Sequence, residues 1–333
     1  MKLVTESPSS QQPAAGAPAS RRSFRALFGR FGIVWAVVAL FVILALTTPG
    51  FIGLVNLRNV LDQQAPILIA SAPLTLVLIA GQFDVSLSAV YIAAPLVGLQ
   101  IEAHTGSIPL AIAAGVVSGI IAGAFNAFLI VICRINSFIS TLAASYIIAG
   151  IGYLVSNQSI LTPKSPGFIK FATTHIFGIS TATWLTVLIV AFCWILLQCT
   201  RYGRYVYATG ANRDAATVSG VRTHWIVAST FVLTGAAAGF AGMVNASQSM
   251  SAQATDDFTF VFSALAAVVV GGTSIAGGAG AVWRTVAGAL FIAMMNNGFN
   301  LNQVDPIYQR IILGLVILAA VGIDAISRTH RKT

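Results

Sequence analysis

A single carboxylate separates two of the most apolar stretches of the chain. Asp84 lies in GQFDVSLSAV (81–90), between the uncharged runs 65–80 and 86–101. An unpaired ion in lipid costs at least about 2.5–3.5 kcal/mol, so this carboxylate should face protein, water or the positively polarised start of a helix. We expect Asp84 to mark a break between two helices, with Ser86 and Ser88 capping the second one. A structural role at the break and a contact to a transported solute both fit this position.

Other polar side chains near the ends of apolar segments could line a path for a polar solute. An unpaired buried polar group costs roughly 2–7 kcal/mol, so a solute leaving water needs substitutes for its hydrogen bonds. Asparagine offers both a donor and an acceptor. Each such residue alone is more typical of a hydrogen bond between helices. The candidate path residues are Asp84, Ser86, Asn126, Thr141, Asn296, Asn297 and Asn300.

The chain carries no pattern typical of catalysis or metal binding. Its three cysteines and four histidines are scattered, without metal-ligand spacing, a disulfide pattern or a nucleophile–base arrangement. The glycine-rich stretch VVVGGTSIAGGAGAVWR (268–284) lacks the Gly-Lys-Ser/Thr sequence that completes a phosphate-binding loop. We therefore predict no metal, no cofactor and no enzymatic activity. If ATP is used, another subunit hydrolyses it.

The composition indicates a polytopic membrane protein. Of 333 residues, 57% are hydrophobic and 8% are charged, against about 25% charged in soluble domains. The net charge of +9 does not indicate nucleic-acid binding, because no basic face is interleaved with aromatic residues. About ten segments are long and apolar enough to span, if short and broken helices are included. They are 32–48, 60–80, 87–101, 108–133, 137–155, 183–199, 225–246, 259–272, 283–297 and 307–324.

The basic residues predict the orientation of these spans. With an even number of spans and both termini in the cytoplasm, most of the 18 Lys and Arg residues fall on the inner side, as the positive-inside rule requires. We therefore predict an all-α transmembrane helical bundle of about ten spans, with both termini cytoplasmic. The bundle covers residues 31–325, between a disordered basic tail at 1–30 and a short basic tail at 326–333.

Two segments carry glycines at helical spacing. Gly115, Gly119 and Gly123 share one helix face, and Gly235 and Gly239 repeat the arrangement later in the chain. Small residues four apart let the backbones of neighbouring helices approach closely. We predict that these faces pack helices together and do not contact a solute.

The longest insert predicted on the cytoplasmic side contains a short helix. In GANRDAATVSGV (210–221), Asn212 is a suitable N-cap, Asp214 lies in the first turn and Gly220 suits the C-terminal stop. Ala215 and Ala216 leave one side of the helix flat. Docking into a partner's groove and an ordinary loop helix fit this pattern equally well.

Five segments together resemble a known family. They are GQFDVSLSA (81–89), NAFLIVICRINSFISTLA (126–143), GRYVYATGANRDAATVSGV (203–221), AAVVVGGTSIAGGAGAVW (266–283) and NNGFNLNQVDPIYQ (296–309). In this order and spacing they resemble the permease subunits of ribose-type ABC importers of monosaccharides, over about residues 30–325. The chain departs from the family pattern at several positions, including Gln82, Phe83 and Ser88, so the sugar cannot be copied from one relative.

The resemblance implies partners and a mechanism. Two permease subunits, identical or paralogous, would pair in the bacterial inner membrane, each would dock a cytoplasmic ATPase, and a periplasmic binding protein would deliver a monosaccharide or small polyol. The family's coupling helix matches residues 210–222. Its implied ATPase-coupling residues are Gly210, Asn212, Asp214, Ala215, Ala216, Ser219 and Gly220. The loops 156–181 and 247–258 would contact the binding protein.

A secondary, ion-coupled transporter of a small polar solute is the main alternative. Such proteins also use broken helices with carboxylates inside the membrane. Against it, Asp84 is the only acidic residue expected near a break, and no cation-binding cluster accompanies it. An intramembrane enzyme is disfavoured because no histidine falls confidently within a span.

Overall fold

A computed structural model describes residues 32–332, with side chains described up to Gly322. Most of this part is helical. In chain order its helices are α1 (Gly32–Thr47), α2 (Leu54–Ile79), α3 (Leu87–Thr105), α4 (Ile108–Ala127), α5 (Ser137–Ser156), α6 (Pro166–Thr173), α7 (Thr181–Cys199), α8 (Arg201–Ala211), α9 (Arg213–Val218), α10 (Thr223–Ser249), α11 (Thr259–Val270), α12 (Val282–Leu301) and α13 (Pro306–Lys332). A π-helical turn (Phe128–Ile132) extends α4, and two short strands, β1 (His175–Ile176) and β2 (Ile179–Ser180), form a hairpin before α7.

Each predicted apolar segment falls on a helix, and the all-α membrane architecture is confirmed. Within residues 32–332, six helices are long and apolar enough to cross a bilayer: α2, α3, α4 with its π-helical turn, α5, α7 and α10. Helices α1 and α11, and α13 as far as Gly322, are apolar but shorter. The predicted tail at 1–30 lies outside the described residues, whereas α13 continues through most of the stretch predicted as the C-terminal tail.

The two glycine faces pack α4 against α10, as predicted. A Cβ atom on Gly119 would collide with the backbone carbonyl of Gly235, and one on Gly239 would collide with that of Gly115. The backbones therefore approach as closely as small-residue faces allow. This contact forms the centre of the bundle, where buried residues of α2, α3, α4, α10 and α11 share one core.

Replacing Gly119 by leucine should abolish this packing. The side chain would have to occupy space filled by the backbone of α10, so α4 and α10 must separate. We expect little monodisperse protein after detergent extraction, measured by fluorescence-detected size exclusion. The matched control is Gly150→Leu on α5, because a Cβ atom at Gly150 meets nothing within 4 Å. Equal yields from both variants would contradict this account of the core.

Two non-helical segments bring two helix starts together. Residues 80–86 join α2 to α3, and residues 250–258 join α10 to α11. The backbone N–H of Val261 in α11 donates to Ser88 Oγ in α3 over 2.8 Å. The rings of Tyr91 and Phe260 stack with their centroids 3.6 Å apart. The N-terminal ends of α3 and α11 therefore meet inside the bundle, an arrangement typical of transporters with discontinuous helices.

The glycine-rich loop after α11 makes a backbone junction with α2 and α8. Gly278 donates its N–H to the carbonyl of Ile79, the last residue of α2, over 2.8 Å. Gly210, near the end of α8, lies against both groups, and a Cβ atom there would be 2.8 Å from the nitrogen of Gly278. Gly277 and Gly278 have φ of +87° and +72°, which favours glycine. We call this contact of Ile79, Gly210, Gly277 and Gly278 the glycine junction.

Candidate functional site

Three of the predicted path residues form one hydrogen-bonded chain at the break between α2 and α3. Asp84 Oδ1 accepts from the backbone N–H of Ser86 over 3.0 Å and from its hydroxyl over 2.6 Å. Asn126, at the end of α4, donates from Nδ2 to Ser86 Oγ over 2.7 Å. All three side chains are buried. The carboxylate therefore holds the start of α3 in place, and Asn126 ties that start to α4.

Helix α5 supports the same break through its hydroxyl groups. Thr141 Oγ1 accepts from the backbone N–H of Val85 over 3.0 Å, and Ser137 Oγ accepts from that of Phe83 over 3.1 Å. These bonds satisfy backbone donors that no helix uses, which matters for an irregular segment buried in a membrane protein. Thr141 thus joins the same group as Asp84, Ser86 and Asn126.

The group retains one unused acceptor. Asn126 is fully buried, yet its Oδ1 has no hydrogen-bond partner. A buried acceptor without a partner costs about 1–3 kcal/mol. Because the atom is fully buried, it can accept a hydrogen bond from a polar solute only when the break opens.

The three predicted asparagines of α12 make separate contacts. Asn297 and Asn56 of α2 exchange two side-chain hydrogen bonds, of 2.9 and 2.8 Å. Asn300 is exposed and accepts from Gln309 Nε2 over 3.1 Å, and Asn296 is half-buried. Within the described residues, no side-chain hydrogen bond found joins these asparagines to the Asp84 group. The predicted path residues therefore form two groups, one at the break and one on α12.

The expected capping by Ser86 and Ser88 is wrong in detail. Ser86 occupies the N-cap position of α3, but its side chain makes no capping bond there and donates to Asp84 instead. Ser88 accepts from Val261 and so caps α11, a helix distant in sequence. Sequence alone could not show this because the two helix starts meet only in the folded chain.

The insert predicted on the cytoplasmic side forms two helices. Gly210 lies at the end of α8, and α9 follows after Asn212, whose Oδ1 accepts from the backbone N–H of Ala215 over 3.0 Å, as predicted for an N-cap. Gly220 ends the segment with φ of +85°. Of the two alanines, Ala215 is exposed and Ala216 is buried against its own chain. The side chain of Val218 is 90% exposed, an apolar protrusion that sequence analysis did not single out.

A tyrosine connects α8 to the glycine-rich loop. Tyr207 donates its hydroxyl to the carbonyl of Gly280 over 2.7 Å and accepts from Gln198 Nε2 over 3.1 Å. Burial raises the pKa of the Tyr207 hydroxyl, although the bond from Gln198 opposes the shift. The group therefore stays a neutral donor at physiological pH, and its bond lies close to the glycine junction.

Two acidic residues and an aromatic pair lie at the second break. Asp257 Oδ1 accepts from the backbone N–H of Thr259, the first residue of α11, over 2.7 Å. Asp256 precedes it, and Phe258 packs edge-on against Tyr146 of α5. The expectation that Asp84 is the only acidic residue near a break is therefore wrong. The missed signal is the pattern Asp-x-Ser/Thr, which precedes both α3 (DVS, 84–86) and α11 (DFT, 257–259).

Comparison with protein families identifies the kind of protein. Residues 56–321 match a family described as "Branched-chain amino acid transport system / permease component". This match covers the break between α2 and α3, the segment with α8 and α9, and the glycine-rich loop. The chain belongs to this permease family. The permease is thus a multi-pass inner-membrane transport component and not itself an enzyme.

Individual relatives extend the similarity to most of the permease. It is 33% identical to the ribose import permease protein of Escherichia coli over 87% of this chain and 91% of that protein. It is 30% identical to the L-arabinose transport system permease protein of the same species over 96% and 97%. The ribose import permease protein of Bacillus subtilis is 32% identical over 91% and 95%. No solved structure matches.

Proposed function

We propose that the chain is the permease subunit of an ABC importer for a monosaccharide or related small polyol. A periplasmic binding protein delivers the sugar, and a cytoplasmic ATPase subunit supplies the energy. The observation that carries this proposal is the similarity to ribose and arabinose permeases over nearly the full length of the chain. Two helix breaks that meet inside the bundle agree with a path for a polar solute.

The proposed assembly contains about ten spans, both termini in the cytoplasm and a second permease subunit, identical or paralogous. The distribution of Lys and Arg supports the orientation. Large apolar side chains are exposed along α4 and α5, for example Ile121 at 63% and Leu154 at 78%. Such surfaces need lipid or another membrane subunit around them.

The proposed coupling element is α9 with its flanking residues 210–222. Val218 projects from it and would fill a groove on the ATPase, while Asn212 and Gly220 fix the two ends of the element. Gly210 connects it through the glycine junction to α2 and to the loop after α11. Movement of the ATPase would therefore pass to α2, which precedes the first break, and through the loop to α11, which follows the second break. Asp214, Ala215 and Ser219 are exposed on this element, whereas Ala216 anchors it.

The proposed path passes the break between α2 and α3. Asp84, Ser86 and Thr141 hold the break through the bonds described above, and Asn126 Oδ1 offers a free acceptor to the solute. Asn296 and Asn300 of α12 are proposed as further contacts, because neither is fully buried. Asn297 is proposed to keep α12 close to α2 through its pair with Asn56.

Uptake by the assembled importer tests this function against ion-coupled transport. Cells that express the permease with its ATPase and binding protein should accumulate labelled D-ribose or L-arabinose. Vanadate, which inhibits the ATPase, should stop uptake in proteoliposomes loaded with ATP, and an ionophore that collapses ion gradients should not. The opposite pattern would establish a secondary transporter. Failure to take up these two sugars and every other labelled monosaccharide or small polyol offered would contradict the proposed substrate class.

A further inference from the structure

A crevice lies between α3, α5 and the segment 250–258. Its walls include Ser88, Ser145, Tyr146, Asp256, Asp257 and Phe258, and it is a shallow crevice that is open on one side. Both carboxylates are exposed, as is 62% of Tyr146. No predicted path residue lines this crevice.

The crevice opens beside the middle of α5. Tyr146 lies midway along α5, a 20-residue helix that is apolar and long enough to cross the membrane. The crevice also reaches the start of α3, where α11 begins. Two exposed carboxylates therefore lie beside α5, a helix that is long and apolar enough to span the membrane. Because charges there are costly in contact with lipid, such residues face water-filled paths or protein and mark routes of substrates.

The walls of the crevice combine carboxylates, aromatic rings and hydroxyl groups. Carboxylate oxygens accept hydrogen bonds from hydroxyl groups, and charge-assisted bonds of this kind are roughly twice as strong as neutral ones. The face of an aromatic ring offers a flat apolar surface to the C–H groups of a sugar ring. Ser145 and Ser88 add hydroxyl oxygens. Carboxylates beside aromatic rings thus match a small polyhydroxylated ring better than they match an anion or an apolar solute.

Neighbouring residues hold the carboxylates and the aromatic rings of the crevice in place. Asp257 is fixed by its bonds to the backbone N–H and the hydroxyl of Thr259. Asp256 interacts with Tyr153 of α5. Phe258 packs edge-on against Tyr146, with ring centroids 6.2 Å apart. The carboxylates and rings are therefore oriented by neighbours before any solute arrives, which lowers the cost of binding.

We infer that this crevice is a contact site for the sugar on its way through the permease, with Asp256 and Tyr146 as its principal contacts. Asp256 accepts hydrogen bonds from sugar hydroxyls, and Tyr146 covers one face of the ring. This inference rests on the proposed function, because it names where the transported monosaccharide binds within the permease.

Cysteine accessibility tests whether the crevice opens to water. In a variant with Cys133, Cys193 and Cys199 replaced, Tyr146→Cys and Asp256→Cys are introduced singly, and the complete importer is reconstituted in proteoliposomes. A membrane-impermeant methanethiosulfonate reagent should modify both positions roughly tenfold or more faster than Ile147→Cys, because a thiol in apolar surroundings stays protonated and unreactive. Ile147 is the matched control, since it is 51% exposed on the same helix but does not line the crevice. Equally slow modification at all three positions would overturn the inference.

Transport tests the contact itself, with D-ribose and L-arabinose as probes. Asp256→Asn should lower the uptake rate by roughly tenfold or more, the effect of losing the charge from a hydrogen bond to the sugar. Tyr146→Ala should lower it as well, because the ring that covers the sugar is lost. ATPase stimulation by the binding protein should be unchanged in both variants. Tyr146→Phe should restore uptake because it keeps the ring. Asp305→Asn is the control carboxylate, since Asp305 caps α13 away from the crevice.

The outcomes separate the two proposals. If the unaltered importer takes up no labelled monosaccharide or small polyol, the proposed function fails. If it takes up sugar and both crevice variants do so at the same rate, the inference fails while the function stands. If uptake by the unaltered importer depends on added sodium or protons and Asp256→Asn removes that dependence, the carboxylate serves a cation and the inference is also wrong.

Discussion

Replacing Asp84 by alanine should remove most of the folded permease from the membrane. The substitution leaves the backbone N–H of Ser86 without its acceptor and frees the hydroxyl that positions Asn126. Hydrogen bonds to charged groups contribute about 1.5–3 kcal/mol each, so two of them amount to about 3–6 kcal/mol. This is a large share of the 5–15 kcal/mol that typically separates folded from unfolded protein. The measurement is the amount of monodisperse permease recovered from membranes.

Asp84→Asn is the matched control for this prediction. Asparagine keeps an oxygen at the Oδ1 position and can accept both bonds from Ser86. We expect near-normal amounts of protein and measurable uptake. Normal folding of Asp84→Ala combined with lost uptake would show that the carboxylate contacts the solute and does not hold the break.

Replacing Val218 by aspartate should uncouple the permease from its ATPase. The side chain is 90% exposed on α9 and makes little contact with its own chain, so the fold should be unaffected. A charge placed in an apolar groove of a partner loses its hydration without gaining a counterion, which costs several kcal/mol. We expect sugar uptake to fall at least roughly tenfold, the equivalent of 1.4 kcal/mol. Co-purification of the ATPase with the tagged permease should fall in parallel.

Val218→Leu is the control for coupling, because it keeps an apolar side chain at the same position. It should retain uptake and ATPase binding. The proposed role of α9 would be wrong if Val218→Asp supported normal uptake with the ATPase still bound.

Local patterns in the sequence predicted most of the helices and one of the packing contacts. The apolar segments fall on helices because a membrane span needs a nearly continuous apolar run. The spacing of Gly115, Gly119 and Gly123 predicted a close helix contact, and the structure identifies α10 as the partner. Asn212 was predicted as an N-cap because capping involves residues only three positions apart.

Contacts between distant segments could not be predicted in the same way. Ser88 caps α11 across 173 residues of sequence, and nothing in the local pattern around Ser88 indicates that partner. The segment 247–258 was expected to form an outer loop. Its start does pair with another loop, through backbone bonds of 2.8 Å between Leu161 and Ala252, but its end reaches the start of α3. This path through the bundle creates the crevice and places Asp256 there.

The glycine junction has a consequence for the tightness of the membrane barrier. The backbone N–H of Gly278 donates a hydrogen bond to the carbonyl of Ile79, and Gly210 lies against both groups with no side chain between them. In the proposed cycle, a displacement of α8 therefore moves the end of α2 and the loop after α11 together. Both contacts are made by backbone atoms, so no flexible side chain can absorb the displacement of either segment. We expect a permease built in this way to pass between closed and open forms in one concerted step, which would leave small ions little opportunity to leak while the sugar crosses.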